Sequence, residues 1–224
     1  MPFTKETLDF MIQNYITDSR SWFHEHKADY KKLVEAPLEE LVVALTPAML
    51  EIDPEFICIP KVGKTISRIW RDTRRGPELP VFRDVMWINF MRAKYLNLPG
   101  FWFEFSPRAM RWGCGWYSTD ARVMETARSL ILANGPTWRD ALDAVEAQDK
   151  FHLEDTRYKR SRHPDEPEQL RWWLDQKSLC LIHETDDISL LFSKDLPDVL
   201  ATDFRSLAPA YNFFMQAVSM TPGK

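Results

Sequence analysis

Residues 85–117 read VMWINFMRAKYLNLPGFWFEFSPRAMRWGCGWY, and this stretch decides the fold class. It contains three short aromatic runs, at 85–91, 101–105 and 110–117, separated by turn residues such as Pro99-Gly100 and Ser106-Pro107. Runs rich in aromatic and β-branched residues between such turns are typical of paired β-strands. The middle of the chain is therefore predicted to form an antiparallel sheet.

The third run alternates between two kinds of residue. Because successive side chains of a strand point to opposite faces, one face receives large or sulfur-containing side chains and the other receives two glycines. The first set is Met110, Trp112, Cys114 and Trp116; the second is Arg111, Gly113, Gly115 and Tyr117. We predict that the first face is buried and that the second allows close approach of another group.

Helical patterns flank this sheet on both sides. Thr4 stands where a helix N-cap is expected, and a second helix is expected to start at Asp18 or Ser19. Thr46-Pro47 has the composition of a further helix start. Leucine and tryptophan recur at helical spacing after Pro167, one more strand is predicted at 178–183, and two helical segments surround Pro209. This order of elements indicates an α+β fold, and we expect one domain over residues 1–224.

Composition excludes several classes of protein. The three cysteines of the 224 residues form no CxxC pair, which argues against a zinc ribbon or a disulfide framework. No basic and apolar leader opens the sequence, and no stretch approaches ~18 apolar residues in a row. We expect a cytoplasmic protein with no membrane partner, and the sequence leaves its oligomeric state open.

The segment 61–75, KVGKTISRIWRDTRR, carries six cations and one acid in a chain of net charge −4. Such a local density of Lys and Arg indicates an anionic partner, because guanidinium groups match carboxylate and phosphate oxygens two at a time. Gly63-Lys64-Thr65 resembles the end of a phosphate-binding P-loop. That loop needs a glycine five residues before Gly63, where this chain has Cys58, so the P-loop interpretation fails.

The local structure of this arginine run has two interpretations. On a helix, Lys64, Arg68, Arg71 and Arg75 would form one stripe. Thr65, Ile66 and Ile69 instead favour a strand that ends near Arg71, followed by a loop through Pro80. A bulge or loop geometry would then have to bring the cations together. Whether the arginines bind a ligand or are held by Asp72 and other acids in a structural network stays open at this point.

The motif Arg68-x-x-Arg71-Asp72-x-Arg74 resembles the hallmark of a bacterial family, the domain of unknown function 2461. The likeness covers most of the chain and includes Trp22-Phe23, Gly113-x-Gly115-x-Tyr117, Tyr158-Lys159-Arg160, Lys177-Ser178-Leu179 and Leu207-Ala208-Pro209-x-Tyr211. The resemblance implies a single α+β domain and brings no established activity. It also makes Tyr158, Lys159, Arg160 and Lys177 the candidates to complete an anion site.

The chain departs from that family pattern directly after the motif. Relatives usually continue with a phenylalanine, then an Asp-Lys pair and a tyrosine. Here Arg75 replaces the phenylalanine, and residues 78–82 supply neither the lysine nor the tyrosine hydroxyl. If those two groups do chemistry in relatives, this chain is a member that binds without catalysis or whose activity is altered.

No motif for a metal or a cofactor is apparent, and we expect none. His24 and His26 are two residues apart, which points their rings away from each other on a helix. Cys114 lies between two glycines, but its alternation with Trp112 and Trp116 favours a buried structural thiol over a nucleophile.

The leading hypothesis is a protein that binds a small anionic or phosphorylated ligand. Arg68, Arg71 and Arg74 would hold the anion, Lys61, Lys64, Lys159 and Arg160 would assist, and Asp72 would orient the guanidinium groups. Nucleic-acid binding is the second hypothesis, and the acidic net charge counts against it. The third is a protein-interaction module whose arginines are structural. Whether the protein is an enzyme stays undecided, since no nucleophile or base can be named.

Overall fold

The computed structural model describes residues 3–72, 74, 76, 78–92 and 96–222, and it has an α+β fold. Five strands form one antiparallel sheet in the order β1-β2-β3-β5-β4, which confirms the sequence prediction. The strands are β1 Met86–Phe90, β2 Gly100–Phe105, β3 Met110–Gly115, β4 His152–Leu153 and β5 Cys180–Thr185.

Helices precede and follow the strands, as predicted. The N-terminal helices are α1 Lys5–Thr17, α2 Arg20–Glu25, α3 Lys27–Tyr30 and α4 Ala36–Ile52, with a π-helical turn at Lys31–Glu35. The later helices are α5 Ala121–Leu132, α6 Pro136–Glu146, α7 Glu168–Leu174, α8 Leu196–Ser206 and α9 Ala208–Met220, with a 3₁₀ turn at Ser189–Phe192. No described helix is long and apolar enough to cross a membrane.

Two of the three predicted helix starts are confirmed. The hydroxyl of Ser19 accepts the Trp22 N–H at 3.3 Å, and the Thr4 N–H donates to Thr7 Oγ1 at 3.0 Å. The start predicted at Thr46-Pro47 is wrong, because α4 continues through both residues and Thr46 Oγ1 donates to the Val42 carbonyl at 2.8 Å. Burial of Leu45, Ala48 and Met49 on the inner face of α4 outweighs the hydrogen bond that proline removes.

The chain divides into two compact units. The first unit comprises Met1–Phe90, Trp102–Trp112 and Glu184–Thr202, and the second comprises Met91–Phe101, Gly113–His183 and Asp203–Lys224. One domain over the whole chain stays a prediction. Each unit has its own buried aromatic side chains.

An aromatic cluster in the first unit fixes α2 against the chain that follows the arginine run. The Phe23 ring lies 5.1 Å from the Phe82 ring and 5.6 Å from that of Trp70. Asp18, at the end of α1, accepts the Phe82 N–H at 2.9 Å. The segments that carry Arg71 and Arg83 are thereby anchored at Trp70 and Phe82.

The second unit has α9 packed against α5 and α6. Trp138 of α6 contacts Phe213 of α9 at 5.2 Å and Trp173 of α7 at 4.9 Å between ring centroids. Rings of this size dominate the apolar area that a fold buries. They hold α7 in place, and α7 forms one wall of the groove described below.

The two faces predicted for β3 are confirmed. Met110, Trp112, Cys114 and Trp116 are buried. On the other face, a Cβ atom added to Gly113 would lie 1.9 Å from the Leu181 carbonyl oxygen, and one added to Gly115 would lie 2.3 Å from that of Leu179. The group that approaches the glycine face is therefore the backbone at β5.

The strand predicted to end near Arg71 is not a regular strand. Two isolated antiparallel bridges, Ile66↔Ile88 and Trp70↔Phe82, join residues 65–71 to residues 81–89. The bridges are four residues apart on one segment (66 to 70) and six apart on the other (82 to 88). The second segment thus contains two extra residues, and this bulge interrupts the hydrogen-bond ladder beside Arg68.

Candidate arginine site and groove

The bulge brings Arg83 beside Arg71 and against the backbone of Arg68 in the first unit. Because Trp70 is paired with Phe82, Arg71 and Arg83 are diagonal neighbours on the same face of the two segments. At the break, Arg83 Nη1 donates to the Arg68 carbonyl oxygen at 3.1 Å, in place of a backbone N–H. Arg68, Arg71 and Arg83 are hereafter called the arginine site.

Arg83 was not predicted from the sequence. It lies outside the run of cations, and only the pairing of Trp70 with Phe82 brings it beside Arg71. An amphipathic extended segment at 81–90 was the available signal, because such a segment can return along the strand predicted for 65–71. The side chain is half-buried, and its guanidinium carbon lies 4.7 Å from the centre of the Trp87 ring.

The arginine site has unbalanced positive charge. Burial and the nearby charge of Arg71 lower the pKa of Arg83 from its usual value. The Nε of Arg71 is buried, and none of the described residues forms a hydrogen bond with it. Within the part of the chain that the structure describes, no carboxylate forms an ion pair with Arg68, Arg71 or Arg83. Guanidinium groups in this state gain from an added anion.

Arg74 and Asp72 form a separate pair at the surface. Arg74 donates from Nε to Asp72 Oδ1 at 2.8 Å and from Nη2 to Oδ2 at 2.7 Å, and its side chain is 88% exposed. Asp72 thus holds Arg74, and it forms no described ion pair with Arg68 or Arg71. Arg75, the last member of the predicted helical stripe, lies outside the described residues.

A tight turn positions Arg68. Gly63, at a φ of 82°, donates its N–H to the Ile66 carbonyl, and a Cβ atom at Gly63 would lie 3.5 Å from Arg68 Nε. The guanidinium of Arg68 therefore lies against the bare glycine. Lys61 and Lys64 flank the same turn, with exposed side chains.

The predicted residues Tyr158, Lys159, Arg160 and Lys177 lie in the second unit. The Lys177 ammonium lies 5.6 Å from the Tyr158 ring, while Lys159 and Arg160 are exposed. That these four residues bind the same anion as the arginine site stays a prediction. Tyr158 and Lys159 line a groove of about 480 Å³ between residues 155–161 and helix α7, and Arg160 and Lys177 are not among its lining residues.

The remaining candidate groups have structural surroundings. His26 stacks on Trp22 with ring centroids 4.1 Å apart, and burial raises the pKa of the Cys114 thiol well above its usual value. A thiol with a raised pKa is a poor nucleophile. Across the described ranges, no three His, Cys, Asp or Glu side chains form a group that could hold a metal ion.

Comparison with protein families identifies the family of this chain. No curated protein matches the chain. A family model described as "Conserved hypothetical protein (DUF2461)" matches residues 6–213, a range that includes both the arginine site and the groove. The chain belongs to this family, the domain of unknown function 2461.

Proposed function

We propose that this protein binds a small phosphorylated ligand at Arg68, Arg71 and Arg83. The observation that carries the proposal is the buried Nε of Arg71, which has no hydrogen-bond acceptor among the described residues. A buried donor without a partner destabilises a fold by about 1–3 kcal/mol, and more when it is charged. An anionic oxygen from a ligand would satisfy this donor.

Two charges on the ligand fit the site better than one. Arg71 and Arg83 are close enough for the charge of Arg71 to lower the pKa of Arg83. A phosphate monoester carries up to two negative charges at neutral pH and three acceptor oxygens, so it can bridge two guanidinium groups. A diester carries a single charge and offers fewer oxygens.

Trp70 does not contribute to this site, because alternation along the paired segments places its side chain on the face opposite to Arg71 and Arg83. The proposed class is therefore a phosphate monoester.

Loss of either Arg71 or Arg83 is expected to weaken this binding at least tenfold. The probe is phenyl phosphate, and its methyl ester serves as the singly charged comparison; titration calorimetry with wild type, Arg71→Gln and Arg83→Gln gives the affinities. Tenfold corresponds to about 1.4 kcal/mol, the low end for a hydrogen bond to a charged group. Arg122→Gln, which removes an exposed arginine of α5, is the matched control and should bind as wild type does.

Other outcomes identify the competing hypotheses. If Arg71→Gln leaves the affinity unchanged but lowers the unfolding midpoint without ligand, the arginines are structural and the proposal is wrong. If the protein instead prefers a single-stranded oligonucleotide, with an affinity that falls steeply as salt is raised, it is a nucleic-acid-binding protein.

A further inference from the structure

The groove in the second unit is built from a loop that cannot move freely. Residues 154–163 have no regular structure apart from turns, yet buried groups beside α7 hold them. Gln176, at 0% exposure, accepts the Thr156 N–H at 2.8 Å and its hydroxyl at 3.0 Å. Asp175 accepts the Tyr158 N–H on its carbonyl at 3.0 Å and the Arg162 N–H on its carboxylate at 2.9 Å. A loop fixed in this way can present side chains in set positions.

Two of the charged side chains that line the groove already pair with each other. Arg157 donates to both carboxylate oxygens of Asp155, at 2.9 and 2.8 Å, and its guanidinium lies 3.8 Å from the centre of the Trp172 ring. Hydrogen bonds from Arg157 lower the pKa of Asp155 to about 2, so this pair stays ionised at neutral pH. Asp155 and Arg157 together carry no net charge, and the Trp172 indole lies against the guanidinium.

Helix α7 adds two further charged side chains to the lining of the groove. The Nε of Arg171, on α7, is buried and has no hydrogen-bond partner in the part of the chain that the structure describes. Glu168, three residues earlier on the same helix, also lines the groove. Neither side chain forms an ion pair within the described ranges. With Lys159 and Asp175, which also line it, the groove presents two cations and two carboxylates besides the Asp155–Arg157 pair.

We infer that this groove binds a zwitterion, an amino acid or a short peptide with free termini. Its carboxylate would lie on Arg171 and its ammonium on Glu168. The volume of about 480 Å³ is within the range of small-ligand sites. A phosphate dianion fits less well, because the three lining carboxylates balance the three lining cations and the groove has no net positive charge to attract it. The ligand class thus differs from that of the arginine site, and the two proposals stand or fall separately.

Blocked forms of one dipeptide test the inference on the wild-type protein. The probe is glycyl-leucine, compared with N-acetyl-glycyl-leucine, which lacks the ammonium, and glycyl-leucinamide, which lacks the carboxylate. Titration calorimetry should show that each blocked form binds at least ten times more weakly than the free dipeptide. Equal binding of the three forms, or no binding of the free dipeptide at a concentration of about 10 mM, would overturn the inference.

Two substitutions assign the termini to their partners. Arg171→Gln should weaken binding of the free dipeptide and of the acetylated form but leave binding of the amide unchanged. Glu168→Gln should weaken binding of the free dipeptide and of the amide but leave binding of the acetylated form unchanged. Arg139→Gln, an exposed arginine of α6, is the control and should change none of them. If the free dipeptide binds both variants as tightly as wild type, the ligand lies elsewhere. Arg71→Gln should not alter dipeptide binding, so failure here leaves the phosphate proposal intact.

Discussion

Replacing Gly113 with alanine is expected to lower the free energy of unfolding by more than about 3 kcal/mol. The new methyl carbon would lie 1.9 Å from the Leu181 carbonyl oxygen and 3.2 Å from the Ile182 Cα, so it meets backbone atoms that no rotamer change can move. The strand at β5 would have to shift. Leu181 and Leu179 are completely buried, so a shift would also disturb the packing around them.

Urea unfolding followed by tryptophan fluorescence measures this loss. Gly135→Ala is the matched control, because a Cβ atom at Gly135 meets nothing within 4 Å. That position is the N-cap of α6, where the same substitution should change stability by no more than about 1 kcal/mol. If Gly113→Ala and Gly135→Ala unfold at the same urea concentration, the close approach of β5 is wrong.

The sequence predicted the strands of this sheet better than it predicted which strands lie beside each other. Aromatic alternation at 110–117 is a local signal, and it identified both the buried face and the open face of β3. The partner of the open face, β5, begins at Cys180. Pairing over such a separation depends on how the intervening helices pack, and periodicity carries no information about that.

The arginine run shows where local signals fail. Thr65, Ile66 and Ile69 correctly indicated an extended chain, but propensity could not reveal the two extra residues between Phe82 and Ile88. Those residues break the ladder and bring Arg83 to the Arg68 carbonyl. A bulge or loop was expected to bring the cations together. The bulge is present, and it adds Arg83, which lies outside the run of cations.

The groove was not predicted from the sequence. The resemblance named two of its lining residues, Tyr158 and Lys159, but only as members of an anion site. Glu168 and Arg171 gave no signal, because most charges on a helix pair or face solvent. The buried Nε of Arg171, which has no hydrogen-bond partner among the described residues, results from how residues 154–163 pack over α7, and spacing does not predict that packing.

Arg128→Leu is expected to destabilise the protein by about 3 kcal/mol. Arg128 is only 3% exposed, and it donates from Nε to the Leu174 carbonyl at 2.7 Å and from Nη2 to the Gln176 carbonyl at 2.6 Å. Leucine would leave both carbonyls without these donors. Arg122→Leu removes the same side chain from the same helix, but Arg122 is half exposed and pairs with Asp120 at 3.4 Å, so its loss should be below about 1 kcal/mol.

The same pair of variants shows whether Arg128 supports the groove. The two carbonyls that it holds flank Asp175, and Asp175 and Gln176 accept the amide protons of Tyr158 and Thr156. Hydrogen exchange at these two amides should therefore quicken in Arg128→Leu and stay unchanged in Arg122→Leu. If exchange at Thr156 and Tyr158 stays slow while stability falls, Arg128 supports the core alone. If it quickens and glycyl-leucine binding weakens with it, the fixed loop and the ligand site depend on one buried guanidinium.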